Sequence, residues 1–167
     1  MTTSLSIIAS LADVIASFAL VISLIFVGVQ MRLNTRATKS ASAIAASTAT
    51  SEWYRALGGN AENSALFRAF VTNPEGLTPD QRYQIVVNLY AAILIFQNNF
   101  YLANEGTLDP DMKDTITQSI SVIKDYPGWK YFWEERRSMF LIKFQDYVDA
   151  LMTTDSKFSP TIYDPAP

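Results

Sequence analysis

The sequence lacks cysteine and histidine altogether. Without cysteine the chain can form no disulfide, no thiolate nucleophile and no cysteine-ligated metal site. Without histidine it has neither the most common general base nor the usual metal and haem ligand. That excludes a Ser-His-Asp triad and the Glu-x-x-His di-iron site of helical bundles. We therefore expect a protein that is not an enzyme and that holds no metal and no cofactor.

Charge is scarce as well. Charged residues make up 17% of the 167 residues, below the roughly 25% of an average soluble domain. The net charge is −3, and all 13 basic residues lie from Arg32 onward. Binding of DNA or RNA requires a strongly basic face, so we expect no nucleic-acid partner. The length suits one domain plus a membrane anchor.

What the sequence does have is one long apolar run, residues 5–29, in which Asp13 is the only charged residue. A membrane-spanning helix needs about 20 mostly apolar residues. The Val, Ile, Leu and Phe residues of the run each favour insertion by about 0.3–0.6 kcal/mol near the bilayer centre, and together they outweigh one Asp at about 3 kcal/mol. A cleavable signal peptide would have a basic N-terminal region and a shorter apolar core. We predict an uncleaved transmembrane helix over residues 5–30.

Asp13 lies near the outer end of the predicted span and has two interpretations. In the first it is an interfacial residue near the start of the helix, close to the outer lipid headgroups. In the second it is a paired carboxylate inside the membrane that contacts another subunit. The first is favoured because Asp13 lies only about one helical turn inside the expected membrane boundary.

Small residues recur along the predicted span at alternating spacings of three and four. They are Ala9, Ala12, Ala16, Ala19 and Ser23. A line of small residues lets a neighbouring helix approach closely, and packing drives helix association in lipid. Alternatively, the line reflects only how common such residues are in membrane helices. We predict a helix-packing face for other transmembrane subunits or for a second copy of the chain.

A polar cluster of four residues, Gln30, Arg32, Asn34 and Arg36, follows the apolar run directly. With Lys39 it puts the positive charge on one side of the span. By the positive-inside rule, this places the N-terminus outside and the rest of the chain in the cytoplasm. The cluster binds anionic headgroups or a neighbouring subunit in one interpretation. In the other interpretation it is the ordinary cytoplasmic end of an anchor.

Proline, glycine and capping residues divide residues 31–152 into helices. The first helix is expected to continue to Gly58, and Thr78-Pro79 and Asp109-Pro110 each give an N-cap followed by proline at the first helical position. We predict an all-α fold in which one N-terminal transmembrane helix continues into a cytoplasmic bundle of about four helices. The expected elements are helices over residues 64–72, 79–104, 110–124 and 129–152, and an extended, proline-containing tail over residues 153–167.

The segment EERR at residues 134–137 interrupts the apolar face of the last predicted helix. Arg137 falls in line with Trp133 and Phe140, so its guanidinium must reach solvent or meet a carboxylate. The two glutamates could carry out acid–base chemistry or bind metal. However, neighbours on a helix point about 100° apart, which is poor chelating geometry. We predict that Arg137 forms a structural ion pair with a carboxylate across the bundle.

Residues 23–37, SLIFVGVQMRLNTRA, carry a resemblance to other proteins. They resemble the end of the anchor in a group of uncharacterised bacterial single-pass inner-membrane proteins, where an apolar run is followed by Gln-x-Arg-x-Asn-Thr. Residues 106–109, Pro127-Gly128 and Trp133 also look similar to that group, and the match covers most of residues 14–150. The resemblance implies a bacterial inner (cytoplasmic) membrane and a helical bundle. It implies no activity.

Two functions of different kinds fit these features. In the first, the chain is a non-catalytic accessory or assembly subunit of a larger membrane complex, or a homo-oligomeric scaffold. Its partners are then membrane lipids and other transmembrane helices. In the second, the chain is a membrane-anchored module that binds a ligand or transmits a signal. The single anchor, its line of small residues and the missing catalytic residues favour the first.

Overall fold

The structure, a computed structural model, describes the backbone of residues 2–155 and Tyr163. It describes the side chains of these residues except those of residues 2–6 and 8–10. Most of the tail expected to be extended, residues 156–162 and 164–167, therefore lies outside the described residues.

Every regular element in this part of the chain is helical, which confirms the all-α prediction. Pro74–Gly76 and Arg137–Met139 are short 3₁₀ helices. The six α-helices are α1 (Thr2–Gly58), α2 (Ala61–Thr72), α3 (Pro79–Asn104), α4 (Pro110–Ile123), α5 (Pro127–Arg136) and α6 (Ile142–Thr153).

The starts of α3 and α4 follow from their capping residues. The Thr78 hydroxyl accepts a hydrogen bond from the Gln81 main-chain nitrogen at 3.3 Å, and the Gln81 side chain accepts one from the Thr78 nitrogen at 3.0 Å. Asp109 caps α4 by accepting a hydrogen bond from the Asp111 nitrogen at 2.9 Å. These bonds satisfy main-chain donors that a helix start leaves without partners. Both predicted starts are confirmed.

The start of α2 differs from the prediction. This helix begins at Ala61 and not at residue 64, because the Asn60 side chain accepts hydrogen bonds from the main-chain nitrogens of Glu62 and Asn63. Asn60 is therefore the N-cap. The predicted start of this helix was three residues too far along the chain.

The predicted single helix over residues 129–152 is wrong, because the chain breaks between α5 and α6. Two side-chain hydrogen bonds replace the helical ones at the break. The Leu141 main-chain nitrogen donates to Gln97 Oε1 of α3 at 2.7 Å, and Gln145 Nε2 donates to the Phe140 main-chain oxygen at 2.7 Å. The break lets Phe140 stack on Trp133, with ring centroids 5.6 Å apart and planes 18° apart.

The chain forms two compact units, Met1–Ser40 and Ala41–Pro167. The first is a stretch of α1 whose described side chains are all exposed. Two helices are long and apolar enough to cross a membrane by length and composition: Leu11–Gly58 of α1 and Pro79–Asn104, which is α3. The apolar window of α1 buries none of its residues, whereas α3 buries seven.

The second unit is organised around α3. This helix packs against α2, α4 and α5, and α4 also packs against α6. The shared core is strongly aromatic, and Trp129, Phe132 and Phe144 are each almost completely buried. The expectation that α3 is the central helix of a bundle is consistent with its buried face, which consists of Ile85, Val86, Leu89, Ala92, Ile93, Phe96 and Asn99.

Gly128 marks the closest approach of α2 and α5. A Cβ atom at this position would press on the main-chain oxygen of Phe70 and lie 2.8 Å from the Cα atom of Val71. Real Cβ atoms do not make such contacts with main-chain atoms, so only glycine fits. The Pro127-Gly128 pair therefore begins α5 at Pro127 and also sets how tightly that helix packs on α2.

Candidate functional site

The described side chains of the apolar run in α1 are exposed along its whole length. Ile15, Phe18 and Leu24, for example, are each about two thirds exposed, at 65%, 66% and 64%. Soluble monomers rarely expose a continuous apolar patch of more than a few hundred Å². In water such a surface would drive aggregation, so this part of α1 needs an apolar environment or a partner.

The predicted helix-packing face runs along this exposed segment. Ala12, Ala16, Ala19 and Ser23 lie on it and are all exposed. The side chain of Ala9 lies outside the described residues. The spacing keeps the four described residues on one side of the helix, and association through this face stays a prediction.

Asp13 is also exposed on α1. Its main-chain oxygen accepts a hydrogen bond from the Ser17 hydroxyl at 2.8 Å. This bond satisfies the serine inside an apolar helix and leaves the Asp13 carboxylate available to headgroups or to another subunit. Both interpretations of Asp13 stay predictions.

The polar cluster at the end of the apolar run divides into two pairs. Arg32 and Arg36 are four residues apart and share one face, and Gln30 and Asn34 share another. Because successive residues turn by about 100°, the two pairs point about 200° apart around the helix. The residues therefore form a polar collar rather than a single binding patch, and all four are exposed.

Arg137 meets Asp149 across the break between α5 and α6. The distance from Arg137 Nη2 to Asp149 Oδ2 is 2.6 Å, and Arg137 Nε also donates to both carboxylate oxygens. The indole nitrogen of Trp133 donates to Asp149 Oδ1 at 2.8 Å. In an unbroken helix, residues twelve positions apart would lie about 18 Å apart. Sequence reasoning anticipated a carboxylate partner but not which one.

The Arg137–Asp149 pair shifts the pKa of both groups. The hydrogen bonds from Arg137 hold the pKa of Asp149 below its ordinary value, partly opposed by burial and assisted by the bond from Trp133. The same hydrogen bond to Asp149 raises the pKa of Arg137. Both side chains remain about 40% exposed, at 42% and 40%. The pair therefore lies at the edge of the bundle, where solvent weakens its contribution.

The two glutamates of the EERR segment do not converge on a site. Glu134 and Glu135 are both exposed. No three acidic side chains among residues 2–155 and Tyr163 come close enough together to hold a metal ion. Acid–base or metal chemistry at this segment thus gains no support from the geometry.

A cavity of about 340 Å³ lies in the second unit, and sequence reasoning did not anticipate it. Its interior is apolar, with Ile93 and Ile120 buried among the aromatic walls. Polar side chains from α4 stand at its edge: Thr115 and Gln118 are exposed, and Ser119 is half-buried. The cavity could not be foreseen because α1, α2, α3, α4, α5 and Tyr163 each contribute to its walls.

The three tryptophans of the chain differ in how their indole N–H groups are satisfied. Trp53 donates to Asn88 Oδ1 at 2.7 Å, and Trp133 donates to Asp149 as described above. Trp129 lines the cavity, is 1% exposed, and its indole nitrogen has no acceptor among the described residues. A buried donor of this kind is rare in folded proteins and calls for an explanation.

Tyr163 completes one wall of the cavity. Its ring lies 6.4 Å from that of Phe67 and 5.7 Å from that of Tyr126, measured between centroids. Burial raises the pKa of the Tyr163 phenol. This residue therefore packs against the helical core and contributes to the lining of the cavity.

Comparison of the chain with protein-family models, curated proteins and solved structures finds no match. The resemblance to bacterial inner-membrane proteins therefore stays an expectation, and the functional argument depends on the residues themselves.

Proposed function

We propose that this chain is a single-pass membrane protein anchored by residues 5–30 of α1. The helical bundle of residues 31–152 then lies in the cytoplasm. In this proposal the protein is a non-catalytic accessory or assembly subunit of a larger membrane complex, or a scaffold built from copies of itself. The observation that carries it is the exposed apolar segment of α1.

A bilayer suits this segment better than water does. In lipid, main-chain polar groups must be satisfied within the segment, and an uninterrupted α-helix does so. α1 extends without a break from Thr2 to Gly58. By contrast, α3 uses its apolar side chains for the core of the bundle, which favours α1 alone as the membrane span.

The charge distribution supports the orientation. Asp13 is the only charged residue before the polar collar, and Arg32, Arg36 and Lys39 follow the apolar run within about three turns. Positive charge next to a span is retained on the cytoplasmic side. The proposed location is the bacterial inner (cytoplasmic) membrane with the N-terminus outside, and the resemblance of residues 23–37 supports the choice of membrane.

The accessory or scaffold role follows from the small-residue line on α1. An anchor that only held the bundle to lipid would not need one face free of large side chains. Small side chains let a neighbouring helix approach closely, and close packing is what holds helices together in lipid. Other transmembrane subunits, or a second copy of the chain, are the proposed partners.

Extraction of membranes with alkaline carbonate tests the anchor. The full chain is expected to stay in the membrane pellet, because carbonate releases peripheral proteins but not spanning ones. A chain lacking residues 1–40 is the matched control and is expected in the supernatant. Release of the full chain by carbonate would rule out the proposal.

A ligand-binding module is the second candidate function, and one specific observation favours it. The second unit contains an apolar cavity of about 340 Å³ with several aromatic side chains in its walls. An accessory subunit that works through its anchor alone does not require such a cavity.

A further inference from the structure

The exposed face of α3 differs from the exposed faces of the other helices in the second unit. Those of α2, α4, α5 and α6 each carry charge, for example at Arg68, Asp114, Lys130 and Asp146. Residues 83–104 of α3, by contrast, contain no charged residue. A helix face that meets water is usually charged or strongly polar. The absence of charge along this stretch indicates a face that meets something other than water.

The exposed residues of this face recur at alternating spacings of three and four. Val87, Leu94 and Tyr101 are between 38% and 52% exposed, and the residues that alternate with them are also exposed. We call the six residues the α3 seam: Gln84, Val87, Ala91, Leu94, Asn98 and Tyr101. Their spacing is that of positions a and d in a coiled coil, where the first, third and fifth residues are a and the others are d.

The buried face of α3 lies opposite the seam. The seven buried residues of this helix all fall at positions b, c and f of the same heptad. These positions point away from a and d. α3 is therefore built with two packing faces, one that is filled by the core of the bundle and one, the seam, that is exposed.

The break between α5 and α6 extends the apolar surface beside the seam. Gln97, at position g, accepts a hydrogen bond from the Leu141 main-chain nitrogen, which brings Leu141 alongside the seam. Leu141 and the following Ile142 are both exposed. A helix that packs on the seam would cover these side chains as well.

The seam fits a second copy of itself. When two identical helices pair in parallel and in register, each a or d residue meets its own equivalent. Apolar residues then meet apolar ones at Val87, Ala91 and Leu94. The amides of Gln84 and Asn98 meet identical amides, which can both donate and accept a hydrogen bond. Because the face is uncharged, no like charges repel each other when it meets itself.

Other arrangements satisfy these residues less well. Lipid tails would leave both seam amides without partners. An antiparallel pair centred on the seam would set Val87 against Asn98 and Gln84 against Tyr101, so that neither amide meets another amide. In coiled coils, an asparagine at position a fixes the register of a two-stranded pair.

We infer that the second unit associates with a second copy of the chain through the α3 seam, as a parallel helix pair in register. The inference deepens the scaffold form of the proposed function and rests on it. The surface that it names is separate from the small-residue line of α1.

Disulfide crosslinking tests the pairing, because the chain has no cysteine of its own. Val87→Cys and Tyr101→Cys are introduced singly into the full chain, and broken cells are oxidised with copper phenanthroline. Each variant is expected to form a covalent dimer, since facing d residues of a parallel pair lie within the roughly 7 Å between Cα atoms that a disulfide allows.

Gln118→Cys is the matched control. It is exposed on α4, which packs on α3, and it should give about tenfold less covalent dimer, because its equivalents would lie too far apart. Val87 and Tyr101 are about 21 Å apart along the helix. An antiparallel pair can bring one of them to its own equivalent, but not both, and a mixture of the two variants with tags of different size would then give the mixed dimer.

A charge exchange at Leu94 tests the register. Lys or Glu replaces this exposed leucine in the Tyr101→Cys chain, and two copies with tags of different size are produced together. Two Lys copies, or two Glu copies, place like charges opposite each other and should give about fivefold less covalent dimer. One Lys copy with one Glu copy should restore the dimer, because in register residue 94 meets residue 94. The same charges at Gln118 should change nothing.

Four results would each overturn the inference. Val87→Cys and Tyr101→Cys could crosslink no better than Gln118→Cys, which would leave the seam to lipid or to a helix of another protein. The mixed dimer of Val87→Cys with Tyr101→Cys could predominate, which would show antiparallel pairing. Leu94→Lys could leave the yield unchanged, or the Lys and Glu copies together could fail to restore it.

Extraction of the oxidised samples with alkaline carbonate separates this inference from the proposed anchor. Release of the chain from the membrane pellet would contradict the anchor. The crosslinks decide the α3 seam in either fraction.

Discussion

Arg137 and Asp149 are joined by a two-pronged ion pair that closes the angle between α5 and α6. The same carboxylate accepts the indole hydrogen of Trp133. One aspartate thus connects the end of α5, the 3₁₀ turn and the middle of α6. The pair holds together a chain segment that local sequence signals describe as a single helix.

Arg137→Ala is expected to lower the melting temperature of the full chain at neutral pH, because it leaves Asp149 without its main partner. The effect should be smaller than that of truncating a core aromatic residue, since the pair is partly exposed. Arg136→Ala is the matched control and should change the melting temperature less. An unchanged melting temperature combined with loss of a binding partner would show that Arg137 serves an interface instead.

The difference between wild type and Arg137→Ala should also depend on pH. The pKa of Asp149 is lower in the folded protein than its ordinary value of 3.8, so the ionised pair stabilises the fold fully above that value. As pH falls below 3.8 towards the lowered pKa, the unfolded chain binds the proton first and the contribution is lost. Urea midpoints measured between about pH 7 and about pH 3 should therefore converge.

Gly128→Ala is expected to destabilise the protein by about 2–3 kcal/mol, because the added methyl group meets the main chain of α2. Gly58→Ala is the control, since a Cβ atom there meets nothing within 4 Å. Alanine is favoured over glycine in a helix, so Gly58→Ala should be neutral or stabilising by up to about 1 kcal/mol. Equal urea midpoints for the two variants would contradict the close packing of α2 on α5.

Asn99→Leu is expected to stabilise the protein. The Asn99 side chain is fully buried in α3, and neither its nitrogen nor its oxygen has a partner among the described residues. Leucine has a similar volume and no polar atoms, so the gain should be about 1–3 kcal/mol. Asn98→Leu, at an exposed position, is the control and should stay within about 0.5 kcal/mol. A destabilised Asn99→Leu variant would show that the amide has a partner in solution.

Ala16→Leu tests the small-residue line on α1. A larger side chain in the middle of the line should push a neighbouring helix away and weaken association by on the order of 1 kcal/mol. Leu24→Ala, away from the line, should matter less. The measurement is crosslinking in native membranes or co-purification in mild detergent. Equal recovery of partners by Ala16→Leu and wild type would leave the bundle as the docking surface.

Local signals in the sequence were sufficient for some elements and not for others. Thr78 and Asp109 predict helix starts, because an N-cap residue and the proline that follows it act within a few residues. The break before α6 has no such mark, since Arg137–Met139 contains neither proline nor glycine. Its cause is tertiary: Gln97, more than forty residues earlier in the chain, accepts the hydrogen bond of the Leu141 nitrogen.

The candidate sites divide in the same way. The apolar run of α1 and the polar collar that follows it are properties of one continuous segment, so the sequence alone defines their residues. The cavity depends on residues from five helices and on Tyr163, which only the fold brings together. The sequence shows three tryptophans but not that Trp129 is the one whose indole N–H has no acceptor among the described residues.

Labelling of introduced cysteines is the most direct test of the central claim. That claim is a single membrane span with the N-terminus outside. The chain has no cysteine of its own, so each substitution gives a unique label. In bacterial spheroplasts, a membrane-impermeant maleimide is expected to label Thr3→Cys at once. It should label Ser138→Cys, an exposed position in the bundle, only after the membrane is permeabilised. Labelling of Ser138→Cys in intact spheroplasts, or protection of Thr3→Cys, would contradict the proposed topology.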